Sequence, residues 1–350
     1  MTFNRQTYFD IISGKRTDLF ARVCRVGLSI LEMPYSFAMQ IRNFLFDKGL
    51  RKIHKLDVPV ISVGNLTVGG TGKTPFVAWL AQKFLDEGKL PAIVSRGYHA
   101  DETGWNDEAK ELKLLLPDVP QAFSKKRFMA AQKLLSEHNR DPNNRKIDVI
   151  ILDDGFQHRK LFRNHNILLV DATNPFGYAR ITPRGLLREP ISGLRRADIV
   201  VLSRANAVDA AKKDEICCKI KQVSQIDAAE ATFFPRFLFF QSGEKKEIDV
   251  LAGAEVLAFC GLGNTGAFFR TVTECSCRIK AALTFPDHYH YTSYDIEGIL
   301  AAASRENVRY IVCSLKDMVK IGFSKEKIPY LCAIVIKADV PESVWDKLNG

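Results

Sequence analysis

No two cysteines in this chain of 350 residues stand in the C-x-x-C spacing of a zinc site, and eight in all (Cys24, Cys217, Cys218, Cys260, Cys275, Cys277, Cys313, Cys332) are too sparse for a disulfide-stapled secreted scaffold. Buried free thiols in a reducing compartment are the expectation. Nor is there an uninterrupted apolar run of about 18 to 20 residues, the length a membrane-crossing helix needs. The most apolar segment, Leu19 to Leu50, is broken by Arg22, Arg25, Glu32, Arg42, Asp47 and Lys48. No cleavable signal peptide, internal repeat or low-complexity tract is visible. The interleaved basic and aromatic residues of a nucleic-acid module are missing too. The formal charge of +10 still predicts attraction to polyanions, and nucleic acid, an anionic membrane surface and phosphorylated small molecules all satisfy it, so charge alone does not choose among them.

What is present describes a folded enzyme. Hydrophobic residues at 46% and charged residues at 26% exclude a disordered chain, and the length favours two domains over one. The clearest signal runs from Val60 to Thr74. A short apolar strand is followed by a glycine-dense turn and then by Lys73-Thr74, which open an amphipathic helix through Leu85. This is the layout of a phosphate-binding loop. Thr67, Val68, Gly69, Gly70, Thr71 and Gly72 would turn backbone N–H groups toward a polyphosphate, Lys73 would reach its β and γ phosphates, and the Thr74 hydroxyl would ligate Mg²⁺. The usual first glycine of the motif is replaced by Thr67.

A second strand, Ala92 to Ser95, ends at Arg96-Gly-Tyr98. A polar stretch then carries Asp107 and Glu108, read as loop residues, before a helix over Ala109 to Leu116. Four large apolar residues, Val149 to Leu152, deliver Asp153 and Asp154 to a strand end, where a nucleotide-binding sheet keeps an acid for Mg²⁺. Four arginines crowd the turns from Ile181 to Arg196, where they suit either a phosphate clamp or an ordinary solvated surface. After about residue 229 a second α/β unit follows, with Gly261-x-Gly263 too weak for a nucleotide site on its own. Asp287-His288 in this unit suits proton transfer as well as a structural role. In the N-terminal segment, Phe20, Val23, Leu28, Leu31, Phe37, Ile41, Phe44 and Leu45 can share a helical face, bent at Pro34, beside basic residues. Such a segment lies on a membrane surface or packs, as a pair of helices, on the protein's own core. The expected fold is therefore α/β: N-terminal amphipathic helices (1–55), a P-loop NTPase-like, mostly parallel sheet domain (56–228) and a smaller α/β domain (229–350).

Six stretches in order, Gly64 to Thr74, Ser95 to Tyr98, Asp153 to Arg159, Pro183 to Pro190, Gly261 to Asn264 and Phe285 to His288, resemble the tetraacyldisaccharide 4'-kinase family. The resemblance implies transfer of the ATP γ-phosphoryl group, with Mg²⁺, to the 4'-hydroxyl of an acylated glucosamine disaccharide 1-phosphate, at the cytoplasmic face of the inner membrane. It implies Asp107 as the base and His288 as its support, Lys73 and Asp154 in catalysis, and Arg96, Tyr98, Gln157, His158 and Arg188 on the lipid substrate, Arg188 meeting its 1-phosphate. His288, on the second domain, would reach the base only when the cleft closes. Neither nucleic acid nor an obligate protein partner is implied. The family's Gly-Asp-Glu-Pro reads Asn106-Asp-Glu-Ala109 here, and its Thr-Glu-Lys-Asp reads Ser314-Leu-Lys-Asp317. The rival readings are another P-loop kinase or a switch ATPase with a soluble substrate, and a basic nucleic-acid-binding protein. Val68 occupies the place where such switch ATPases carry a signature lysine.

Overall fold

Strands that are apolar on both faces can only lie inside a sandwich, and Val60–Asn65, Pro91–Ser95, Val149–Asp153 and Ile199–Ser203 are buried at every position. In the computed structural model, which describes residues 5–97, 105–321, 328 and 330–349, all four belong to one seven-stranded sheet. The first part of the chain runs α1 (Arg5–Ile12), α2 (Leu19–Asp47), β1 (Val60–Asn65), α3 (Lys73–Asp86), β2 (Pro91–Ser95), α4 (Asp107–Leu115), β3 (Gln121–Phe123), α5 (Arg127–His138), β4 (Val149–Asp153), β5 (His165–Asp171), β6 (Ile199–Ser203), α6 (Ala210–Ser224) and β7 (Ala229–Glu230). The strand order is β3-β2-β4-β1-β5-β6-β7, and every neighbouring pair is parallel. From β1 the chain crosses by α3 to β2 on one side, whereas from β4 it passes to β5 on the other. The connections part at the C-terminal end of β1, the point where open α/β sheets bind ligands.

The second part continues with β8 (Thr232–Phe240), β9 (Lys245–Glu247), β10 (Glu255–Cys260), α7 (Thr265–Glu274), β11 (Arg278–Thr284), α8 (Ser293–Arg305), β12 (Tyr310–Ser314), α9 (Leu315–Ile321), β13 (Leu331–Asp339) and α10 (Glu342–Asn349). Its six strands are ordered β11-β10-β12-β13-β8-β9, parallel from β11 to β13, with β8 and β9 running antiparallel at the other edge. Residues 229–350 are not all one unit, however. Ala338, Val340, Val344, Trp345 and Leu348 join Phe76, Val77, Leu80 and Phe84 of α3 in the core of the first sheet. The reason is in α10, whose apolar residues at spacings of one, three and four make a single stripe, matched here by the outward face of α3.

α2 is one unbroken helix of 29 residues with Pro34 inside it, not a pair of helices. Asp18 starts it by accepting a hydrogen bond from the Ala21 N–H at 2.7 Å. Its polar side is tied to the first domain: Glu32 accepts from the Ile181 N–H (2.8 Å), Tyr35 donates to the Arg188 carbonyl (3.1 Å) and Asn43 donates to Glu189 (3.0 Å). Its apolar stripe, Val23, Val26, Ile30, Met33, Phe37, Ile41 and Phe44, faces outward and is exposed. Among the described residues no helix is long and apolar enough to cross a membrane.

Candidate active site

The turn between β1 and α3 is built as a cradle. Its first half is not a turn at all: Thr67 is buried and bridges antiparallel to Leu187, the Val68 N–H donates to Leu186 O (2.7 Å), and the Arg188 N–H donates to Leu66 O (2.7 Å). An extended, paired residue has no need of a positive φ, so Thr67 serves where the generic motif has glycine. The second half does need it. Gly72 sits at φ +80°, ψ 25° as the N-cap of α3, and a Cβ there would lie 1.9 Å from Phe233. Gly70 and Thr71 are held by their carbonyls, which accept from Arg204 (2.9 Å) and the Ser203 hydroxyl (2.9 Å). The free N–H groups of the first turn of α3 therefore open toward the crevice.

Lys73 and Thr74 are the first two residues of α3, and the Lys73 Nζ lies 3.4 Å from Asn65 Oδ1 and 3.4 Å from Asp154 Oδ1. Asp153 ends β4 opposite Val63 of β1, and Asp154 follows in the left-handed region at φ +50°. That strained step turns consecutive carboxylates in different directions. Asp154 is gripped by Arg188, whose Nη1 is 2.9 Å from both oxygens, while Arg127 donates to its carbonyl at 2.8 Å. Burial opposes its charge, but Lys73, Arg188 and Arg127 outweigh burial and hold the carboxyl far below the usual range. Asp153 has the opposite balance. Burial, with the charges of Asp154 and Glu108, pushes its carboxyl up to about 6 against the pull of Lys73 and Arg127.

Asp153 Oδ1 is buried with no hydrogen-bond partner, so this carboxylate is under-neutralised and lies beside the phosphate cradle. Mg²⁺ on a nucleotide asks for only one or two protein carboxylates or hydroxyls, the phosphates and water supplying the rest. Among the described residues no group of three or more His, Cys, Asp or Glu forms a self-sufficient cage. Asp153 and Thr74 fit a metal that arrives with triphosphate.

The second set of residues spans the two sheets. Asp107 and Glu108 are not loop residues but the first turn of α4. Asn106 caps that helix, its Oδ1 accepting from the Ala109 N–H at 2.9 Å. The two departures from the family pattern are thereby one exchange: a proline at 109 would lack the N–H that the Asn106 side chain needs. α4 packs on α9, and His288, at φ +59°, places Nδ1 3.1 Å from Asp107 Oδ2. The contact expected only on closure is made in this structure. Burial acts to raise the Asp107 carboxyl, but the His288 hydrogen bond and the Lys320 and Lys316 charges leave it lowered.

The other expected site residues are distributed unevenly. Arg188 is engaged by Asp154 on the nucleotide side of the crevice. Gln157 donates to Asn65 O (2.9 Å) and Glu189 (3.0 Å), bracing the end of β1. His158 is driven down to about 4 by burial and by Arg127, Arg163 and Arg42, so it is neutral at pH 7. Arg96 is exposed at the end of β2 and adds its charge near Arg127. Tyr98 lies outside the described residues. Sequence reasoning missed Arg127, Glu189, Lys316 and Lys320. Glu189, inside the Arg-Glu-Pro stretch, and Lys316, inside Ser314-Leu-Lys-Asp317, stood in motifs that could have singled them out; Arg127 and Lys320 did not.

Comparison with known proteins agrees with this geometry. The family model for tetraacyldisaccharide-1-P 4'-kinase matches residues 24–350. The tetraacyldisaccharide 4'-kinase of Halothermothrix orenii is 35% identical, over 91% of this chain and 88% of that protein. The one from Geobacter metallireducens is 32% identical, over 89% and 92%. A solved structure, LpxK from Aquifex aeolicus in complex with ATP, superposes with a TM-score of 0.71 at 31% identity, covering 93% of this chain and 98% of that one. A sheet crevice with a lysine-bearing cradle beside paired acids, and a sequence match across nearly the whole length, place this chain in the tetraacyldisaccharide 4'-kinase family.

Proposed function

We propose that this chain transfers the γ-phosphoryl group of ATP to the 4'-hydroxyl of a tetraacylated glucosamine disaccharide 1-phosphate, giving the bis-phosphorylated lipid A precursor. The single observation that carries this reading is the 3.4 Å approach of Lys73 to Asp154, which brings cradle and acids to one spot. Phosphoryl transfer is mainly positioning and charge neutralisation. Lys73 and the N–H groups at the start of α3 hold the phosphates. Mg²⁺, when bound by Thr74 and Asp153, neutralises charge on the β and γ phosphates. Asp107 accepts the proton of the 4'-hydroxyl as the new oxygen–phosphorus bond forms and the bond to the bridging oxygen of ADP breaks. His288 orients Asp107 through its 3.1 Å hydrogen bond. Arg188, beside the cradle, belongs with the transferring phosphate in this reading, because its Nη1 already lies on Asp154.

The lipid end is supplied by α2. A helix that turns its polar side to the protein and its apolar stripe outward reverses the usual pattern of a globular protein, and suits the interface plane of a bilayer. A groove of about 430 Å³ along it mixes Arg22, Arg25 and Arg184 with Val26, Ile30 and Met33, the chemistry of an anionic headgroup over acyl chains. The enzyme accordingly works as a peripheral protein on the cytoplasmic face of the inner membrane.

The test is mass analysis of the lipid after incubation with Mg·ATP. The native chain is expected to add one phosphate, and Asp107→Ala to lose roughly 10²-fold or more in kcat, the usual scale of a lost general base. Near-native turnover of that variant would remove Asp107 from its role.

A further inference from the structure

Lys316, whose charge helps to lower the Asp107 carboxyl, also touches the ring nitrogen of His288 opposite the one facing Asp107. Its Nζ lies 3.2 Å from Nε2. An ammonium offers donors only, so the nitrogen it meets must present a lone pair, and the proton of a neutral ring is left on Nδ1, pointing at the Asp107 carboxylate. We propose that Lys316 is a positioning residue that fixes the tautomer of His288, so that Asp107 always receives a hydrogen bond from this ring. The opposite tautomer would set the Nδ1 lone pair against a carboxylate oxygen 3.1 Å away and turn the ring aside.

The lysine is itself held in place. The next residue, Asp317, is fully buried and accepts from the Gly261 N–H (3.1 Å), the Tyr291 hydroxyl (3.0 Å) and the Ser314 hydroxyl (2.5 Å), which fixes the start of α9. Lys316 Nζ also lies 3.5 Å from Glu108 and 3.9 Å from Asp287. Leu315, where the family has glutamate, is buried in the second core and takes no part. Lys320, one turn on, acts differently: it is 3.5 Å from Asp107 Oδ2 and 3.7 Å from Asp317, a counter-charge to the carboxylates rather than a partner of the ring. The left-handed backbone of His288 is a further constraint aiming the imidazole at both neighbours.

The inference rests on Asp107 as the proton acceptor. In the transfer step the hydroxyl proton moves to the Asp107 carboxylate, the oxygen–γ-phosphorus bond forms and the β–γ bridging bond breaks. His288 gives up no proton, and its Nδ1–H stays on Oδ2. Lys316 therefore affects rate through geometry, not by carrying charge to the phosphates.

The experiment uses full-length protein labelled with ¹⁵N-histidine, with the His288 ring signals assigned by their loss in His288→Gln. Native protein is expected to show the Nδ1–H pattern. Lys316→Met is expected to shift His288 toward the Nε2–H form or a mixture, with kcat for lipid phosphorylation falling roughly 10- to 100-fold and KM for ATP changed less than about twofold. Lys316→Arg should restore both. An Nε2–H pattern in native protein overturns the proposal, and because that spectrum needs no variant, it decides even if Lys316→Met fails to fold. A Lys316→Met protein that loses activity while the ring pattern stays native also overturns it. Full activity in Asp107→Ala would instead overturn the base assignment and leave the ring result standing.

Discussion

Asp153 and Asp154 are neighbours with opposite effects on stability. The Asp153 carboxyl is raised to about 6, so between its ordinary value and that point the folded chain holds a proton the unfolded chain has released. Stability from this group is present at low pH and is lost as pH rises through the window, by about 3 kcal/mol at most. Asp154 is lowered, so its contribution is present at neutral pH and lost as pH falls below the usual carboxylate range. Without nucleotide, Asp153→Asn should raise the melting temperature at pH 7.5 and change it little at pH 4, while abolishing Mg²⁺-dependent transfer. Asp154→Asn, which strands Lys73 and Arg188, should lower it at pH 7.5. Thermal melts of both variants at the two pH values check this, and an Asp153→Asn protein that melts below native at pH 7.5 would contradict it. Lys73 and Asp153 stood out in the sequence because their motifs fix residue type and spacing, whereas Asp107 and His288 were singled out as base and support only through the family resemblance. Arg127 and Lys320 were not singled out. Each is one cation on a helix, indistinguishable from a solvated one until tertiary packing brings it to a carboxylate.

At the scale of elements, strands buried on both faces announced themselves as apolar runs, and β1, β2 and β4 lie where such runs place them. β11 did not, since its residues alternate between exposed and half-buried positions at a sheet edge. β3 is only three residues long. The start of α4 was misread because Asn106-Asp-Glu resembles a loop, whereas asparagine followed by acids is also a helix start. α2 is the element whose role can be separated from folding. Val26→Glu with Ile30→Glu alters only exposed positions, so the melting temperature should stay within a degree or two, surface substitutions being nearly neutral. Co-sedimentation with vesicles containing anionic lipid should drop several-fold, and turnover on lipid in vesicles should fall with it. Unchanged sedimentation would remove α2 from the membrane surface.

For the whole molecule, what was hidden in the sequence was the return of the chain. Trp345 of α10 packs edge-on against Phe84 of α3 with ring centroids 4.8 Å apart, and its Nε1 donates to Glu87 at 2.7 Å. Lys83 pairs with Glu342 at 2.7 Å. The helix carrying the phosphate cradle is thus fastened to the end of the second sheet. Trp345→Ala should cost about 3 to 5 kcal/mol, the range for a buried tryptophan, and denaturant unfolding should report it as a lowered midpoint. A loss under about 1 kcal/mol would show that α10 adds little. Leu115 of α4 packs on both cores, so the contact between sheets continues to Asp107 itself.

The main chain passes from one sheet to the other by two routes, once between β7 and β8 and again between β13 and α10. A panel hung at one point can twist in any direction, but one hung at two points swings only about the line joining them. Two separate crossings, with α10 packed on α3, restrict relative movement of the sheets more than a single crossing would, which favours keeping the imidazole on Asp107.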